Sequence, residues 1–422
     1  VFIMKKMIEK INFNNLDINQ RQNCVFGTDD SKKFFIKIEL HQPNNKKNNL
    51  EKEFEIIKFL NKAGSMTAPR AYELGTVDKD YVLKRLNRFS NLLTKDSYNY
   101  IIQDHLNQSP DYTIGDVIFT MIEQKNIGVY QGDVKPDNIK YCSKKDICYF
   151  VDYDQATLLT EKIKKLPTQS FLRFCSKYDY KRYGFGNWER HFAKKAGFDS
   201  KNVISGQKLD LSNVKIFHNQ NTTNTANGFY HSIDKEDLFL NANRNIKVRS
   251  EILNNISLER GEKVLDVGCN TGLLCEYLHD RGCEVTGFDI DERIIAASKI
   301  ISNISSKKIN YFVGDLDKIE TLEKFDTIFL FSVFHHTSKH KQNGIKIADS
   351  CNRIIIETRP YERGSQPNET GQWNIVSGWK FNNVSELINF LEQTFVGFKL
   401  KKNHGRCDKN RYIIELIKEK SQ

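Results

Sequence analysis

The sequence predicts two folded parts, an α+β domain followed by an α/β domain built on an open parallel sheet. Three observations carry that expectation. The chain has 422 residues, enough for two to three domains, each with its own core. The stretch from Gly261 to Asp289, GEKVLDVGCNTGLLCEYLHDRGCEVTGFD, reads as strand, tight turn, helix, second strand and closing acid. The stretch from Gly128 to Asp154, GVYQGDVKPDNIKYCSKKDICYFVDYD, reads as a charged loop followed by two short strands. The expected boundaries are a first domain over 1–200, a polar connection over 201–227 and a second domain over 228–422.

Composition sets outer limits. The net charge of +11 favours anionic partners such as nucleic acid, a phosphorylated glycan or an anionic membrane surface. Lys, Asn and Ile abound throughout, so charge alone selects none of them. The nine cysteines are scattered without a C-x-x-C pair, which indicates neither a zinc site nor a disulfide framework. A reducing, cytoplasmic setting is expected. No apolar run approaches the roughly 20 residues that span a bilayer. The opening VFIMKKMIEKINF has charges where a signal peptide needs its apolar core, and Met4 and Met7 suggest a true start after Val1.

In the first part, Lys33 to Leu40 (KFFIKIEL) alternates as a strand and places Lys37 among apolar neighbours. Glu51 to Leu60 (EKEFEIIKFL) is an amphipathic helix with Glu53 near its start. Pro69 and Gly75 punctuate the chain, and Tyr81 to Leu86 reads as a further strand. In the Gly128–Asp154 stretch, Asp133, Lys135 and Asn138 share a loop, and the second strand after it ends on Asp152.

This G-D-x-K-P-D-N followed by an apolar strand ending in D-x-D resembles the catalytic loop and metal-binding strand of the protein-kinase-like fold. The resemblance covers about Phe13 to Phe198. It implies that Asp133 orients and deprotonates an acceptor hydroxyl and that Lys135 neutralises the transferring phosphoryl group. Asn138 and Asp152 would hold Mg²⁺ against the phosphates of ATP. Lys37 matches the strand lysine on the α/β-phosphates, and Glu53 its helix partner. Gln131-Gly132 stands where regulated protein kinases have His-Arg, Asp152-Tyr153-Asp154 replaces D-F-G, and no A-P-E follows. Gly27 is the only glycine before Lys37. The pattern is therefore more similar to the compact kinases of sugars, aminoglycosides and lipopolysaccharide, with Asp154 a candidate further metal ligand.

Phe171 to Phe198, FLRFCSKYDYKRYGFGNWERHFAKKAGF, interleaves aromatic and basic residues. Such a run can stack on bases or sugars. The favoured reading is the helical end of the first domain, with aromatics as core anchors and charges as surface. Ser205 to Asn227 is polar and reads as the connection.

In the second part, Val264, Leu265 and Val267 make a strand buried on both faces of a parallel sheet. Asp266, Gly268, Cys269, Asn270 and Gly272 form the turn, and Leu273 to Arg281 the helix whose amino terminus offers free N–H donors. The next strand, Glu284 to Phe288, ends on Asp289, where an open α/β sheet holds a ribose. D-V-G-C-N-T-G lacks the second glycine of a dinucleotide site. It resembles motif I of class I S-adenosylmethionine-dependent methyltransferases, D/E-x-G-x-x-x-G, and so implies a Rossmann-like domain over about Gly228 to Glu419. By that resemblance the turn binds S-adenosylmethionine, Asp289 its ribose hydroxyls, and Asp315, just after the third strand, the adenine amino group.

Gly228 to Arg249 is expected to form a cap helix. Its Tyr230-His231-Ser232-Ile233-Asp234 resembles the W-H-S-I-D lead-in of carboxymethyl-tRNA wobble-uridine and related sugar methyltransferases. Tyr230, His231 and Arg244 are thereby candidates for contact with substrate or the methionyl carboxylate. Asp291 to Ile301 reads as a helix, and Ile309 to Val313, Asp326 to Phe331 and Arg353 to Glu357 as strands. Val384 to Thr394 is a helix, and Phe398 to Lys402 with Arg411 to Ile417 a closing strand pair. The fourth strand runs into Ser332-Val333-Phe334-His335-His336. A strand's carboxyl end faces the ligand crevice, so His335 is a candidate catalytic base, with local packing the alternative. Neighbouring side chains on an extended segment point apart, and no third ligand accompanies the two histidines, which argues against metal.

Taken together, the two resemblances imply a chain that uses S-adenosylmethionine, ATP and Mg²⁺ on an anionic or sugar-containing acceptor, a glycan ahead of RNA. The combination is similar, in reversed order, to bacterial kinase–methyltransferases that cap O-antigen polysaccharides. The alternative is a sugar or RNA methyltransferase whose first domain is an inactive binding module.

Overall fold

The computed structural model describes residues 6–19, 24–40, 50–86, 93, 95–106, 111–183, 188, 191–192, 209–210, 231–234, 238–242, 246–360, 379, 381–407 and 411–419. They form two compact units, one reaching residue 210 with 238–239 added, the other comprising 231–234 and 240–419. Among the described residues no helix is long and apolar enough to cross a membrane.

The amino-terminal unit opens with α1 (Met7–Lys10), β1 (Asn15–Asn19), β2 (Cys24–Thr28), β3 (Phe34–Glu39), α2 (Leu50–Lys62), β4 (Ala71–Asp78), α3 (Lys79–Leu83) and β5 (Ser97–Asp104). The strands make one antiparallel sheet in the order β1-β2-β3-β5-β4. Val25, Ile36, Ile38 and Ile102 of its strands pack with Phe13, Leu16 and Val82. Successive side chains of a strand alternate between faces, so Lys37 leaves the face that carries Ile36 and Ile38. On α2, Leu50, Glu53, Ile56, Ile57 and Leu60 form a buried stripe at helical spacing. Glu53 thus sits within an apolar face and requires a cation.

The strand expected over Tyr81–Leu86 is a correction: α3 and a turn occupy it, and the strand lies upstream as β4. Asp78 ends β4 and caps α3, its carboxylate accepting from the Tyr81 N–H at 2.6 Å. Gly75 is part of β4 rather than a break. A Cβ there would meet the Tyr100 hydroxyl at 2.7 Å, so the missing side chain admits the neighbouring ring.

Next come α4 (Ile114–Ile127), β6 (Val129–Tyr130), β7 (Ile139–Cys142), β8 (Ile147–Phe150), β9 (Thr157–Leu158), α5 (Glu161–Lys164) and α6 (Thr168–Tyr183). Thr113 and Asp116 close a capping box at the start of α4, and Gly128 ends it with φ 114°. β7 and β8 form the hairpin expected after the charged loop. Phe171, Leu172 and Cys175 on α6 are buried, as are Trp188 and Phe192. The Phe171 ring meets Tyr130 edge-on at 6.1 Å, so these aromatics are core.

Three short strands, β10 (Leu209–Asp210), β11 (Ile233–Asp234) and β12 (Leu238–Leu240), precede α7 (Lys247–Asn254). This corrects the cap helix expected over Gly228–Arg249, whose described part is extended as far as Leu240. Ser232 holds that extended form, its hydroxyl accepting from the Ala242 N–H at 2.9 Å. Tyr230, Arg244 and the start of the expected helix lie outside the described residues.

The carboxyl-terminal unit continues with β13 (Lys263–Val267), α8 (Leu273–Asp280), β14 (Glu284–Asp289), α9 (Glu292–Ile304), β15 (Asn310–Val313), β16 (Thr327–Phe331), α10 (His340–Ser350), β17 (Arg353–Thr358), α11 (Val384–Thr394), β18 (Phe398–Arg406) and β19 (Tyr412–Lys418). They build a seven-stranded sheet in the order β15-β14-β13-β16-β17-β19-β18. The first five strands are parallel, and β19 runs antiparallel to both its neighbours. Val264, Leu265, Ile328, Phe329, Ile354 and Ile355 are fully buried, as a sheet covered on both faces demands. Strand order reverses at β13, which opens a crevice beyond the carboxyl ends of β13 and β16.

Candidate functional site

In the amino-terminal unit, β3 and α2 bring Lys37 against Glu53. The Lys37 Nζ lies 2.8 Å from a Glu53 carboxylate oxygen and 2.7 Å from one of Asp152. Burial alone would lower the Lys37 pKa, but these two carboxylates hold it well above the ordinary lysine value. Burial pushes the Glu53 carboxyl up against the pull of Lys37. Asp152, just past β8, adopts φ 61°, a left-handed conformation uncommon outside glycine. Gln131 stabilises that turn by donating from its side-chain amide to the carbonyls of Val151 and Asp152, at 3.0 and 2.9 Å.

The same glutamine accepts from the Asp133 N–H at 2.7 Å. Asp133 then receives Lys135 Nζ at 2.5 Å and the Asn138 amide at 3.0 Å on one carboxylate oxygen. Six of the seven residues singled out in this half, Lys37, Glu53, Asp133, Lys135, Asn138 and Asp152, are therefore tied into two hydrogen-bonded groups. Asp154 lies near Asp152, and burial followed by that neighbour's charge raises its carboxyl pKa. The neighbouring Asp152 and Asp154 carboxylates are oxygen donors of the kind a hard cation such as Mg²⁺ takes. Among the described residues no three His, Cys, Asp or Glu side chains gather as a self-sufficient metal site. Mg²⁺ normally takes one or two carboxylates and completes its shell with phosphate and water.

In the carboxyl-terminal unit the turn expected after β13 is built as the spacing requires. Gly268 and Gly272 have φ 69° and 82°, and Asn270 has φ 48°. A Cβ on Gly268 would approach the Val333 side chain to 2.6 Å. The N–H groups of Gly268 and Cys269 both donate to the Phe288 carbonyl, at 2.9 and 3.0 Å, locking the turn to β14. Asp289 ends β14 with one carboxylate oxygen on the Asn270 N–H at 3.0 Å and the other on the Asp291 N–H at 3.2 Å. Burial raises its carboxyl pKa. A partly buried acceptor beside a glycine-shaped turn fits the hydroxyls of a ribose.

Asp266 lies beneath the turn, buried, its carboxyl pushed up to about 7 by desolvation. Cys269 is buried within the turn. His231 is buried against it, Nδ1 lying 3.2 Å from the Thr271 hydroxyl. Asp315 follows β15 and pairs with Lys318 at 3.1 Å.

The methyltransferase-domain family model matches residues 264–353, the span from β13 to the start of β17. The carboxyl-terminal half carries a class I S-adenosylmethionine-dependent methyltransferase domain. Among curated proteins, the chain is 30% identical over 148 residues to the ubiquinone biosynthesis O-methyltransferase of Bradyrhizobium diazoefficiens, covering 31% of this chain and 56% of that one. It is also 30% identical over 153 residues to the protein of the same name from Rhodopseudomonas palustris strain HaA2, covering 32% and 58%. The chain thus spans just over half the length of these relatives. Among solved structures, it aligns with the magnesium protoporphyrin IX methyltransferase of Synechocystis PCC 6803, crystallised with bound SAH. That alignment is 19% identical and covers 41% of this chain and 82% of the other, with a TM-score of 0.33.

At the carboxyl ends of β16 and β17 the methyltransferase domain holds a group that sequence reasoning missed. Glu357, fully buried, is ion-paired with Arg249 of α7, whose Nη2 lies 3.0 Å from Oε1, and with Arg411, whose Nε lies 3.5 Å away. Ser332 donates its hydroxyl to the same carboxylate at 2.6 Å and adopts φ 58°. The available signal was the strand R-I-I-I-E-T, an apolar run ending on a carboxylate at the crevice end of the sheet.

His335 belongs to this group in a form the sequence did not indicate. Phe334–His336 is a 3₁₀ turn rather than an extended segment, and the His335 and His336 rings lie together, centroids 4.1 Å apart. His335 is 1% exposed, with Nδ1 3.4 Å from the Thr358 hydroxyl and, among the described residues, no hydrogen-bond partner for Nε2. Burial, then the charges of His336, Arg359 and Arg411, lower its pKa to about 2. In this arrangement the imidazole is neutral at physiological pH.

Proposed function

We propose that the chain is a two-activity transferase acting on a glycan or other sugar-containing acceptor. S-adenosylmethionine supplies an activated methyl group, and Mg²⁺-bound ATP a transferable phosphoryl group. The methyltransferase reading rests on the turn from Asp266 to Gly272 with Asp289 bonded across it. In this reading the turn's backbone and Asp289 hold the cofactor, and Asp315 stands toward its adenine. The phosphoryl-transfer reading rests on a single lysine, Lys37, reaching both Glu53 and Asp152. Asp133 would take the proton of the acceptor hydroxyl, Lys135 would offset charge on the transferring group, and Asn138 and Asp152 would hold the metal. Such chemistry depends on positioning and charge more than on covalent help, which suits a site this densely paired.

One chain carrying both activities raises the effective concentration of one product at the other site. The expected order is phosphorylation before methylation, as in chain capping. The test supplies a glycan acceptor and methyl-labelled cofactor, with and without ATP, to the wild type and to Asp133→Ala. Sequential action requires label incorporation to depend on ATP and on Asp133. Full incorporation without ATP would leave a sugar or RNA methyltransferase whose amino-terminal unit is a binding module. The scarcity of glycine ahead of Lys37, with Gly27 alone, favours that second reading.

A further inference from the structure

We infer that Gln124 of α4 is a positioning residue for the Asp152–Asp154 turn of the amino-terminal unit, acting through the hydroxyl of Tyr153. The inference rests on the phosphoryl-transfer reading and adds the residues that would hold the two aspartates in place. Three observations lead to it. First, α4 buries Val117, Ile118, Phe119, Met121 and Ile122, and with them the polar side chains of Glu123 and Gln124. The Glu123 carboxylate accepts from the Ser65 hydroxyl at 3.1 Å, from the Met66 N–H at 2.9 Å and from the Thr67 hydroxyl. It thereby pins to α4 the connection that follows α2, the helix of Glu53.

Second, the Gln124 amide nitrogen donates to the Tyr153 hydroxyl at 2.7 Å and to the Thr67 carbonyl at 3.3 Å. That carbonyl also accepts from the N–H of Phe150, the last residue of β8, at 3.0 Å. One amide thus joins the turn that carries Asp152 to the segment that follows the Glu53 helix. Among the described residues the amide oxygen of Gln124 has no hydrogen-bond partner. A buried amide that leaves its oxygen unmatched costs stability, so packing alone does not account for it.

Third, Tyr153 is fully buried and lies between Asp152 and Asp154 at the start of a 3₁₀ turn. Gln131 holds that turn by its backbone, through the carbonyls of Val151 and Asp152, and Gln124 holds it by the tip of the ring. A left-handed residue such as Asp152 persists where its surroundings over-determine it. Tyr153 occupies the middle of the sequence that replaces D-F-G, and its hydroxyl is the group that a phenylalanine lacks.

The test measures the ATP affinity of the full chain by calorimetry with and without Mg²⁺, and the ratio of the two affinities reads the metal's contribution. Tyr153→Phe and Gln124→Met are each expected to cut that ratio about tenfold, the worth of one hydrogen bond, and to leave metal-free ATP affinity unchanged. Combined, they should cut it no further, because both remove the same bond. Ser65→Ala removes a donor to Glu123 but no bond to Tyr153, and should leave the ratio at its wild-type value. A wild-type ratio in folded Tyr153→Phe and Gln124→Met, or an equal loss in Ser65→Ala, overturns the inference while the phosphoryl-transfer reading stands. If the wild type binds ATP no better with Mg²⁺ than without it, or not at all, that reading fails and the inference with it.

Discussion

In the amino-terminal unit the candidate site is held together by side chains that ion-pair over long stretches of chain. Lys37 on β3 meets Glu53 on α2 at 2.8 Å and Asp152, 115 residues further on, at 2.7 Å. In the carboxyl-terminal unit the candidate cofactor turn is held mostly by backbone: three left-handed residues, two N–H groups on the Phe288 carbonyl, and the Asp289 carboxylate accepting from the main chain. The first kind of site ties its chemistry to its stability, because each charge is buried only while its partner is present. The second couples them more weakly, because most of the bonds that hold the turn are main-chain bonds and Asp289 adds only its two acceptor contacts. Glu357, with its two arginines, is the place where the carboxyl-terminal unit adopts the first strategy.

The largest effects should therefore come from single removals of ion-pair partners. Lys37→Met leaves Glu53, 1% exposed, without its cation. Glu357→Gln leaves Arg249 and Arg411 without their carboxylate. Each should cost about 3–5 kcal/mol, read from urea unfolding. A Lys37→Met variant as stable as wild type would show that the amino-terminal site is not organised by these pairs.

Asp289→Ala should behave differently. Folding stability should fall less than in those variants, by about 1–3 kcal/mol as the Asn270 and Asp291 N–H groups lose an acceptor, whereas S-adenosylmethionine affinity should fall by about 2–4 kcal/mol with the loss of an acceptor for two hydroxyls. Unchanged affinity in a folded variant would remove Asp289 from the ribose position.

The contrast also explains what the sequence revealed. The turn after β13 lies in one contiguous stretch in which glycine spacing, strand, helix and acid all follow one another, so its conformation at Gly268 and Gly272 and its closure by Asp289 were readable directly. The amino-terminal group is dispersed from Lys37 to Asp154, and only its resemblance to a known loop pointed to it. The Arg249–Glu357–Arg411 group has neither contiguity nor a motif; only Glu357 carried a local signal, its place at the end of the apolar strand R-I-I-I-E-T, and nothing local distinguishes the two arginines from surface charges. Two local misreadings have equally physical causes. Gly75 looked like a break but makes room for Tyr100, and the residues before α7 looked helical but are held extended by Ser232.

A smaller effect, of opposite sign at two buried groups, sharpens the comparison inside the methyltransferase domain. The folded pKa of Asp266, about 7, lies above the ordinary 3.8, so the folded state keeps a proton that the unfolded state has released. Its contribution falls as pH rises, by about 2 kcal/mol between pH 5 and 7, and Asp266→Asn should flatten that decline. His335, held at about 2 against the ordinary 6.5, has the reverse dependence. Its contribution is full above about pH 6.5 and is lost as pH falls toward 2, so His335→Gln should lessen acid sensitivity below pH 6. Unfolding curves at pH 5, 6, 7 and 8 separate the two. A wild-type profile unchanged by either substitution would mean that neither group is buried as described.

The smallest expected effect asks whether the two units are independent at all. Each has a helix whose amino terminus is capped by a side chain. Thr113 accepts from the Asp116 N–H at 3.2 Å at the start of α4, and Asn383 from the Glu386 N–H at 3.0 Å at the start of α11. Replacing either by Ala leaves one helix N–H without its acceptor and should cost about 1 kcal/mol. The caps touch neither candidate site, so they report on folding alone. If the units unfold separately, Thr113→Ala should lower only the transition that Lys37→Met lowers, and Asn383→Ala only the one sensitive to Glu357→Gln. Saturating S-adenosylhomocysteine should raise the second transition and leave the first in place. A single transition displaced equally by both cap variants would mean that the two units fold as one, and that the stability of the ion-paired site and of the backbone-built site is shared.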